Sequence, residues 1–424
     1  METLRFLLTA SSYPPFHLGG DAIHVRYLAE ALAAQGHEVH VEYCPAALTL
    51  KGGHPGSAPP DTNGVHVHPI TSPWGRWQPL YAYMMDAPAG IRQHHEDTLR
   101  QVQPDVVHYH NLSLLGLRLM AAPSRAIKLY TEHGFWLGCP RQDLFKYGRS
   151  PCDSKNCGTC MLVSGKPPQL WRRRRDAFDA LHRLDATIAP SDFVKQKTIG
   201  LVAGPIHHIP NFAPDRNPSG RVLDPGGYYL FVGRLENSKG ARVLAEAVSK
   251  YVGPHRFVVV GRGTASSGLE AARRQRPETV ELHAWVEPEE LGTFYRSARA
   301  LLMPSIVYEN SPLAAIEALS WGVPLLASSR GGLPELLYGE RSGISFPPSA
   351  EGLLDGIARF EREDRSNRMR RDARTVYEAH HTPSQYLQQY HTVIEQAWKT
   401  RNGTSSAPAQ LSSAIRSFDA STAA

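Results

Sequence analysis

Glu309-Asn310-Ser311-Pro312-Leu313-Ala314-Ala315-Ile316-Glu317 sets two carboxylates on either side of what reads as the start of a helix. An apolar run, Ala300–Met303, precedes it and ends in Pro304-Ser305, as a strand running out into a loop would. Ser311 is a good N-cap residue and Pro312 a good first helical residue, so the helix is expected to begin there. Glu309 then sits just outside the helix, and Glu317 nearly two turns inside. A helix start attracts phosphate because its first backbone N–H groups lack intrahelical partners. Two acids bracketing such an end suit a ligand that carries both phosphates and hydroxyls, such as a sugar nucleotide. From these residues alone, a surface helix with two solvated acids is the simpler reading.

The surrounding C-terminal half shifts that balance. Tyr228–Val232 reads as a strand followed by Gly233-Arg234-Leu235, and Lys239-Gly240 opens an amphipathic helix. A second strand, Val258–Val260, ends in Gly261-Arg262-Gly263. Trp321-Gly322-Val323-Pro324 leads into strand Leu325–Ala327 and then Gly331-Gly332-Leu333-Pro334-Glu335. Strands alternating with helices of this length indicate a parallel, doubly wound α/β sheet, with small and charged residues gathered after the strands where such sheets bind ligands. The ordered set F-V-G-R…K-G, G-x-G, P-S…E-x7-E, G-x-P and G-G-x-x-E resembles the retaining glycosyltransferases of family 4, which have the GT-B fold. The resemblance is dense over residues 228–346 and thinner in the N-terminal half.

That resemblance implies two Rossmann-like domains facing a cleft. Residues 1–212 would form an acceptor-side domain, 213–382 a nucleotide-sugar-binding domain, and 383–400 a helix crossing back to the first domain. Residues 401–424, rich in Ser and Ala, read as a disordered tail. The N-terminal half fits: Leu4–Leu8 reads as a strand, Ser11–Gly20 as a loop and Asp21–Gln35 as a helix. Further strands are expected at Val39–Tyr43, Asp105–His108, Ile127–Thr131, Ala186–Ala189 and Ile206–Ile209. By itself Gly19-Gly20 is a plain turn between strand and helix; the family has Gly-Gly there facing the donor phosphates.

The chain contains no D-x-D, the usual metal clamp of the other major glycosyltransferase fold. A leaving nucleoside diphosphate would then be stabilised by fixed cations and helix ends, with no cofactor for catalysis. Arg234 and Lys239 are the natural cations, one a bidentate fork and the other a compact charge. By resemblance, Glu309 would hold the sugar, Glu317 the donor ribose, and the backbone of Asn310, Ser311, Pro312 and Leu313 the phosphates, with Gly233 and Gly263 lining the donor site. His133, in Thr131-Glu132-His133-Gly134, matches a histidine that contacts the transferred sugar, although any one of 20 histidines is more often structural. His108 and His110 alternate as metal ligands can, but nothing near them in sequence completes a set. The sequence departs from the family at Asn310-Ser311-Pro312, where Gly-Phe-Gly is common, and at Ala284, where Gly is common. Trp285, beside Ala284, is placed to narrow the donor pocket.

Cys139, Cys152, Cys157 and Cys160 form a second distinctive pattern, C-x12-C-x4-C-x2-C, within an insertion over 138–165. Four thiols so spaced in a chain without a signal peptide favour structural zinc over disulfides. Iron–sulfur ligation is the second choice, since C-x4-C-x2-C also occurs in ferredoxins. A similar insertion is carried by a subset of family-4-like enzymes.

Trp171-Arg172-Arg173-Arg174-Arg175 reads as the solvated face of a helix running to about Leu184. Its sharper reading is a patch for anionic lipid headgroups or an anionic acceptor. Trp74, Trp77, Tyr81 and Tyr83 are candidates for an acceptor groove, although aromatics more often pack in the interior. No apolar run approaches the roughly 20 residues that span a bilayer. The start resembles a first strand rather than a signal peptide, which points to the cytoplasm. A formal net charge of +6, spread over both halves, argues little for nucleic acid.

The expected partners are a UDP-, GDP- or similar sugar donor and a glycan or lipid-linked acceptor, in polysaccharide or glycoconjugate assembly, with peripheral membrane contact left open. Two rivals remain at this stage: an epimerase or phosphorolytic enzyme on the same fold, and a non-catalytic metal or iron–sulfur protein organised by the cysteines.

Overall fold

The computed structural model describes residues 3–16, 19–50, 63–71, 74–222, 224–284, 286, 290–364 and 366–403. Trp285 and most of the expected tail lie outside the described residues. The chain divides into two compact units. The first comprises Met1–Asp143, Ser154–Ile209 and Pro383–Ala424; the second comprises Leu144–Asp153 and Pro210–Thr382.

In chain order the first strands are β1 (Arg5–Ala10), β2 (Glu38–Tyr43), β3 (Val65–Pro69), β4 (Val106–Tyr109) and β5 (Ile127–Thr131). A short antiparallel ladder of β6 (Phe145–Lys146) and β7 (Ser150–Pro151) follows. Next come β8 (Ala186–Ala189) and β9 (Ile206–His208). The first unit's seven-stranded sheet is ordered β3-β2-β1-β4-β5-β8-β9 and is parallel throughout. Its central strands are near-continuous apolar runs buried along their length, as a sheet covered on both faces requires.

The second unit repeats the plan with β10 (Tyr228–Val232), β11 (Arg256–Val260), β12 (Val280–His283), β13 (Leu301–Met303), β14 (Leu325–Ser328) and β15 (Gly343–Phe346). Their order, β12-β11-β10-β13-β14-β15, is again fully parallel. Tyr229, Phe257, Leu302, Leu326 and Ile344 form its core with Leu244, Val248, Leu353 and Ile357 from the covering helices. Strand order reverses between β1 and β4 in one unit and between β10 and β13 in the other, and such switch points are where doubly wound sheets take ligands.

The expected strands are all present, with ends that differ by a residue or two. Helix Pro383–Asn402 belongs to the first unit. There Tyr390 shares a hydrogen bond of 3.0 Å with His108 Nδ1, and Arg401 donates to the Ala126 carbonyl at 2.6 Å.

The Trp-Arg run departs from expectation. No single helix reaches Leu184: turns of 3-10 helix at Leu170–Arg173 and Asp179–Arg183 flank one α-helical turn, Arg175–Phe178. The reason is Trp171, which leaves the surface for the core, donates Nε1 to the Tyr83 carbonyl at 3.1 Å and packs on Trp136. Arg172 lies over the Trp171 ring and donates to the Leu137 carbonyl at 2.9 Å, so only Arg173, Arg174 and Arg175 remain exposed. Trp171 is therefore unavailable to a lipid surface. Trp171→Ala should destabilise the protein by about 3–5 kcal/mol in urea unfolding; a change below ~0.5 kcal/mol, typical of a surface site, would contradict its buried placement.

Candidate active site

In the second unit the chain leaves β10 through Gly233-Arg234 and leaves β13 through Pro304-Ser305, on either side of the switch point. A short turn, Asn237–Lys239, rests on the latter loop, with Ile306 N–H donating to the Ser238 carbonyl at 3.0 Å. Gly240 ends that turn with φ 81°, and a Cβ there would lie 2.0 Å from the Pro304 carbonyl oxygen. Only glycine fits both constraints. This close approach delivers Lys239 Nζ to the two oxygens of Glu309, at 2.7 and 2.8 Å.

Glu309 is held from every side. Ser305 Oγ donates to Oε1 at 2.7 Å, and the Glu309 carbonyl accepts from Gly332 N–H at 2.7 Å. Gly331, at φ 64°, permits that pairing, since a Cβ would sit 2.2 Å from the Glu309 carbonyl. Burial raises the Glu309 carboxyl, but the Lys239 ammonium, the hydrogen bonds from Lys239 and Ser305, and the charge of Arg234 outweigh it. The group is held below the usual carboxylate range. Arg234 itself is exposed and forms no hydrogen bond or ion pair with a described residue.

The helix start differs from the sequence reading. Helix Leu313–Ser320 begins later than expected, with Pro312 at the cap position (φ −68°, ψ 130°) and no side-chain cap. Pro312 itself takes extended backbone angles, so Ser311 lies one residue further from the helix than a cap would. Its carbonyl is tied to Asn211 Nδ2 at 2.8 Å, and its buried Oγ has no hydrogen-bond partner among the described residues. Glu317 is consequently only one turn inside the helix. Half-buried, it accepts from Tyr295 OH at 3.3 Å and lines a cavity of about 300 Å³ with Arg216, Gly292, Arg296 and Trp321. Lys239, Glu309 and Arg234 thus form one grouping, and Glu317 faces another. Gly263 has a packing reason: a Cβ there would lie 2.3 Å from the Leu235 carbonyl.

In the first unit Gly19 occupies the extended cap position of helix Gly20–Ala34 and, being glycine, supplies no side-chain cap. His133, just beyond β5, meets His110 Nδ1 with its Nε2 at 2.9 Å. His24, from helix Gly20–Ala34, stands edge-on to His133 with ring centroids 5.0 Å apart. Burial pushes His24, His108 and His110 well below the usual imidazole range and His133 down to about 4, so all four are neutral near pH 7. The set that His108 and His110 lacked in sequence is completed at His110 by folding.

Glu132 is a residue the sequence reading passed over. Burial raises its carboxyl to about 7, against the lowering effect of backbone N–H groups that include those of Trp136 and Leu137 at 3.3 and 3.4 Å. Its position directly before His133, in a loop that must turn sharply, was the available signal. No two cysteines are joined in a disulfide. Among the described residues they do not form a set of three or more ligand atoms close enough to share an ion.

At the switch point of this doubly wound sheet, then, a half-buried lysine is paired with a buried glutamate beside an exposed arginine. The family profile described as Glycosyltransferase Family 4 matches residues 18–215, and that described as Glycosyl transferases group 1 matches residues 226–362. Glycogen synthase of Mycobacterium tuberculosis is 28% identical over 398 residues, spanning 87% of this chain and 90% of its own. Sucrose-phosphate synthase from Thermosynechococcus elongatus shares the fold with a TM-score of 0.68 at 20% identity, over 92% of this chain and 99% of that one. HepE from Anabaena, solved in complex with UDP, does so with a TM-score of 0.62 at 15% identity, over 92% of this chain and 99% of that one. The chain is a glycosyltransferase of the GT-B fold.

Lys239→Met leaves Glu309 buried without its cation. Because Lys239 is 30% exposed, the expected loss is about 1–3 kcal/mol rather than the full cost of breaking a buried pair; chemical denaturation at pH 7 measures it, and an unchanged midpoint would contradict the pairing. Glu132 binds its proton more tightly folded than unfolded, so its contribution to stability is present below pH 4.5 and lost as pH rises toward about 7. Glu132→Gln should therefore flatten the fall in stability over that window and stabilise the protein at pH 8 by roughly 3 kcal/mol. Parallel profiles for variant and parent would show that Glu132 is not the group responsible.

Proposed function

We propose that this glycosyltransferase takes its sugar from a nucleotide-sugar donor bound on the second unit and transfers it with retention of anomeric configuration. One observation carries the reading: Arg234 stands exposed beside a lysine that is already fixed against a buried carboxylate. A diphosphate completes that arrangement by giving Arg234 a bidentate partner and sharing Lys239 with Glu309. The UDP complex of HepE adds support.

In this reading negative charge developing on the departing diphosphate meets Arg234, Lys239 and the backbone of Asn310–Leu313, with no metal required. Glu309 accepts a sugar hydroxyl. Its oxygens are engaged by Lys239 and Ser305, which makes it a poor nucleophile. The acceptor hydroxyl therefore attacks C1 on the face the diphosphate leaves. As the C1–O bond to phosphate breaks, the hydroxyl proton passes to the departing phosphate oxygen. Glu317, with Tyr295 and Trp321 around its cavity, takes the ribose and nucleoside. The first unit carries the acceptor, a glycan or lipid-linked sugar, with His133 assigned to the transferred sugar and Gly19-Gly20 to phosphate.

The same proposal extends to setting: polysaccharide or glycoconjugate assembly in the cytoplasm, with peripheral membrane contact through Arg173, Arg174 and Arg175. Among the described residues no helix is long and apolar enough to cross a membrane. The cysteine-rich segment is assigned structural zinc in preference to an iron–sulfur cluster. Two buried thiols, Cys139 and Cys160, share the surroundings of Lys166, and Cys139 and Cys157 those of Arg172; the thiolates would have to draw together on the ion.

The test is thermal stabilisation by a panel of nucleotides and nucleotide sugars, with and without chelator. NMR then assigns the product anomer. One nucleotide should raise the melting temperature whether or not chelator is present, and Arg234→Ala should lower kcat at least 100-fold with an intact fold. An inverted product, or full activity in Arg234→Ala, would overturn the reading.

A further inference from the structure

Three imidazoles from separate elements converge in the first unit: His24 on helix Gly20–Ala34, His110 just past β4 and His133 just past β5. One nitrogen of each lies within 4.8 Å of the other two. The closest pair, His110 Nδ1 and His133 Nε2, is 2.9 Å apart. His108, although its ring packs on His110, does not belong to the group. Its two nitrogens are engaged by Thr131 Oγ1 at 2.8 Å and Tyr390 OH at 3.0 Å.

His110 carries the second observation. Its Nδ1 makes the contact to His133 and its Nε2 is buried with no hydrogen-bond partner among the described residues, so an ion ligated by His110 would displace a single hydrogen bond of that ring.

The spacing fits an ion. Zinc–imidazole bonds of about 2.0–2.1 Å at tetrahedral angles place ligand nitrogens about 3.3 Å apart. The observed separations, from 2.9 Å to no more than 4.8 Å, bracket that value, so small ring movements suffice. Outer partners are also present. Tyr386 OH lies 3.4 Å from His24 Nε2, and Asp21, tied to Asn111 at 2.7 Å, is close enough for its charge to act on His133. Such outer groups orient ligating imidazoles.

We propose that His24, His110 and His133 form a binding site for a divalent transition metal. A set of three imidazoles selects zinc, copper or nickel over magnesium or calcium. None of the three is a cysteine or a residue assigned above to phosphate. If His133 contacts the transferred sugar as proposed above, an ion held there would oppose transfer, but binding of the ion is read independently of activity.

The test uses the full chain, stripped with chelator and dialysed against Zn2+. His110→Phe and His24→Gln should each weaken one equivalent of zinc binding at least tenfold, whereas Cys139→Ser/Cys157→Ser/Cys160→Ser protein should retain that equivalent. Should a histidine variant fail to fold, imidazole 15N shifts of the unaltered protein decide: three histidines should move together on zinc addition. Unchanged zinc uptake in the folded histidine variants, or no imidazole shift in the unaltered protein, would overturn the proposal.

Discussion

The contact between Lys239 and Glu309 constrains the second unit's ligand end more than any other. A carboxylate this buried is tolerated only with a partner and additional hydrogen bonds, because removing its water costs several kcal/mol. Lys239 can reach it only if the turn carrying it lies almost in van der Waals overlap with the loop after β13. That contact demands a residue without a side chain at 240, and the carbonyl pairing that fixes the Glu309 backbone demands another at 331. Two sequence motifs far apart in the chain, K-G and G-G-x-x-E, thus acquire one physical cause. Both hold a single carboxylate, and Arg234 is left exposed next to it.

Local chemistry made much of this legible. Apolar runs such as Tyr228–Val232 and Ile127–Thr131 are strands because a parallel sheet buries both faces, and Gly, Arg and His follow where the chain leaves the sheet. The helix start at Leu313 was misread at Ser311-Pro312. Serine as cap and proline as first helical residue are compatible, yet Pro312 itself takes extended backbone angles and the carbonyl before it is held by Asn211, which moves the start one residue on. Trp171 was misread for a different reason. Beside four arginines it resembles an interface residue, and only the core formed by Trp136 and Phe178 shows why the chain bends to bury it.

The histidine cluster could not be read from sequence at all. His24, His110 and His133 lie on different elements, and no local period links them; the strand order β1-β4-β5 brings them together. The buried histidines differ in how their ring nitrogens are engaged. His95 is fully engaged by Glu42 at 2.6 Å and Tyr109 at 3.1 Å, as a structural histidine should be, and His108 is likewise engaged on both nitrogens. His110 retains a buried Nε2 with no partner among the described residues. His391 likewise keeps an unpartnered buried Nδ1 among the described residues, so what sets His110 apart is the convergence of two further imidazoles on it.

The two units share a topology but differ in the charge their switch points carry. In the second unit fixed ions, Lys239, Glu309 and Arg234, surround the end of the sheet, as stabilising a departing anion requires. In the first, the corresponding end is lined by imidazoles that burial keeps neutral. Neutral imidazoles hydrogen-bond to hydroxyls and ligate soft cations, but they provide no net charge to hold a diphosphate. A common backbone plan therefore fixes where ligands are met, and the side chains at the strand ends fix which charge state is accepted there. The second unit's switch point thus presents fixed charge, whereas the first unit's presents imidazole nitrogens suited to hydroxyls or a metal ion.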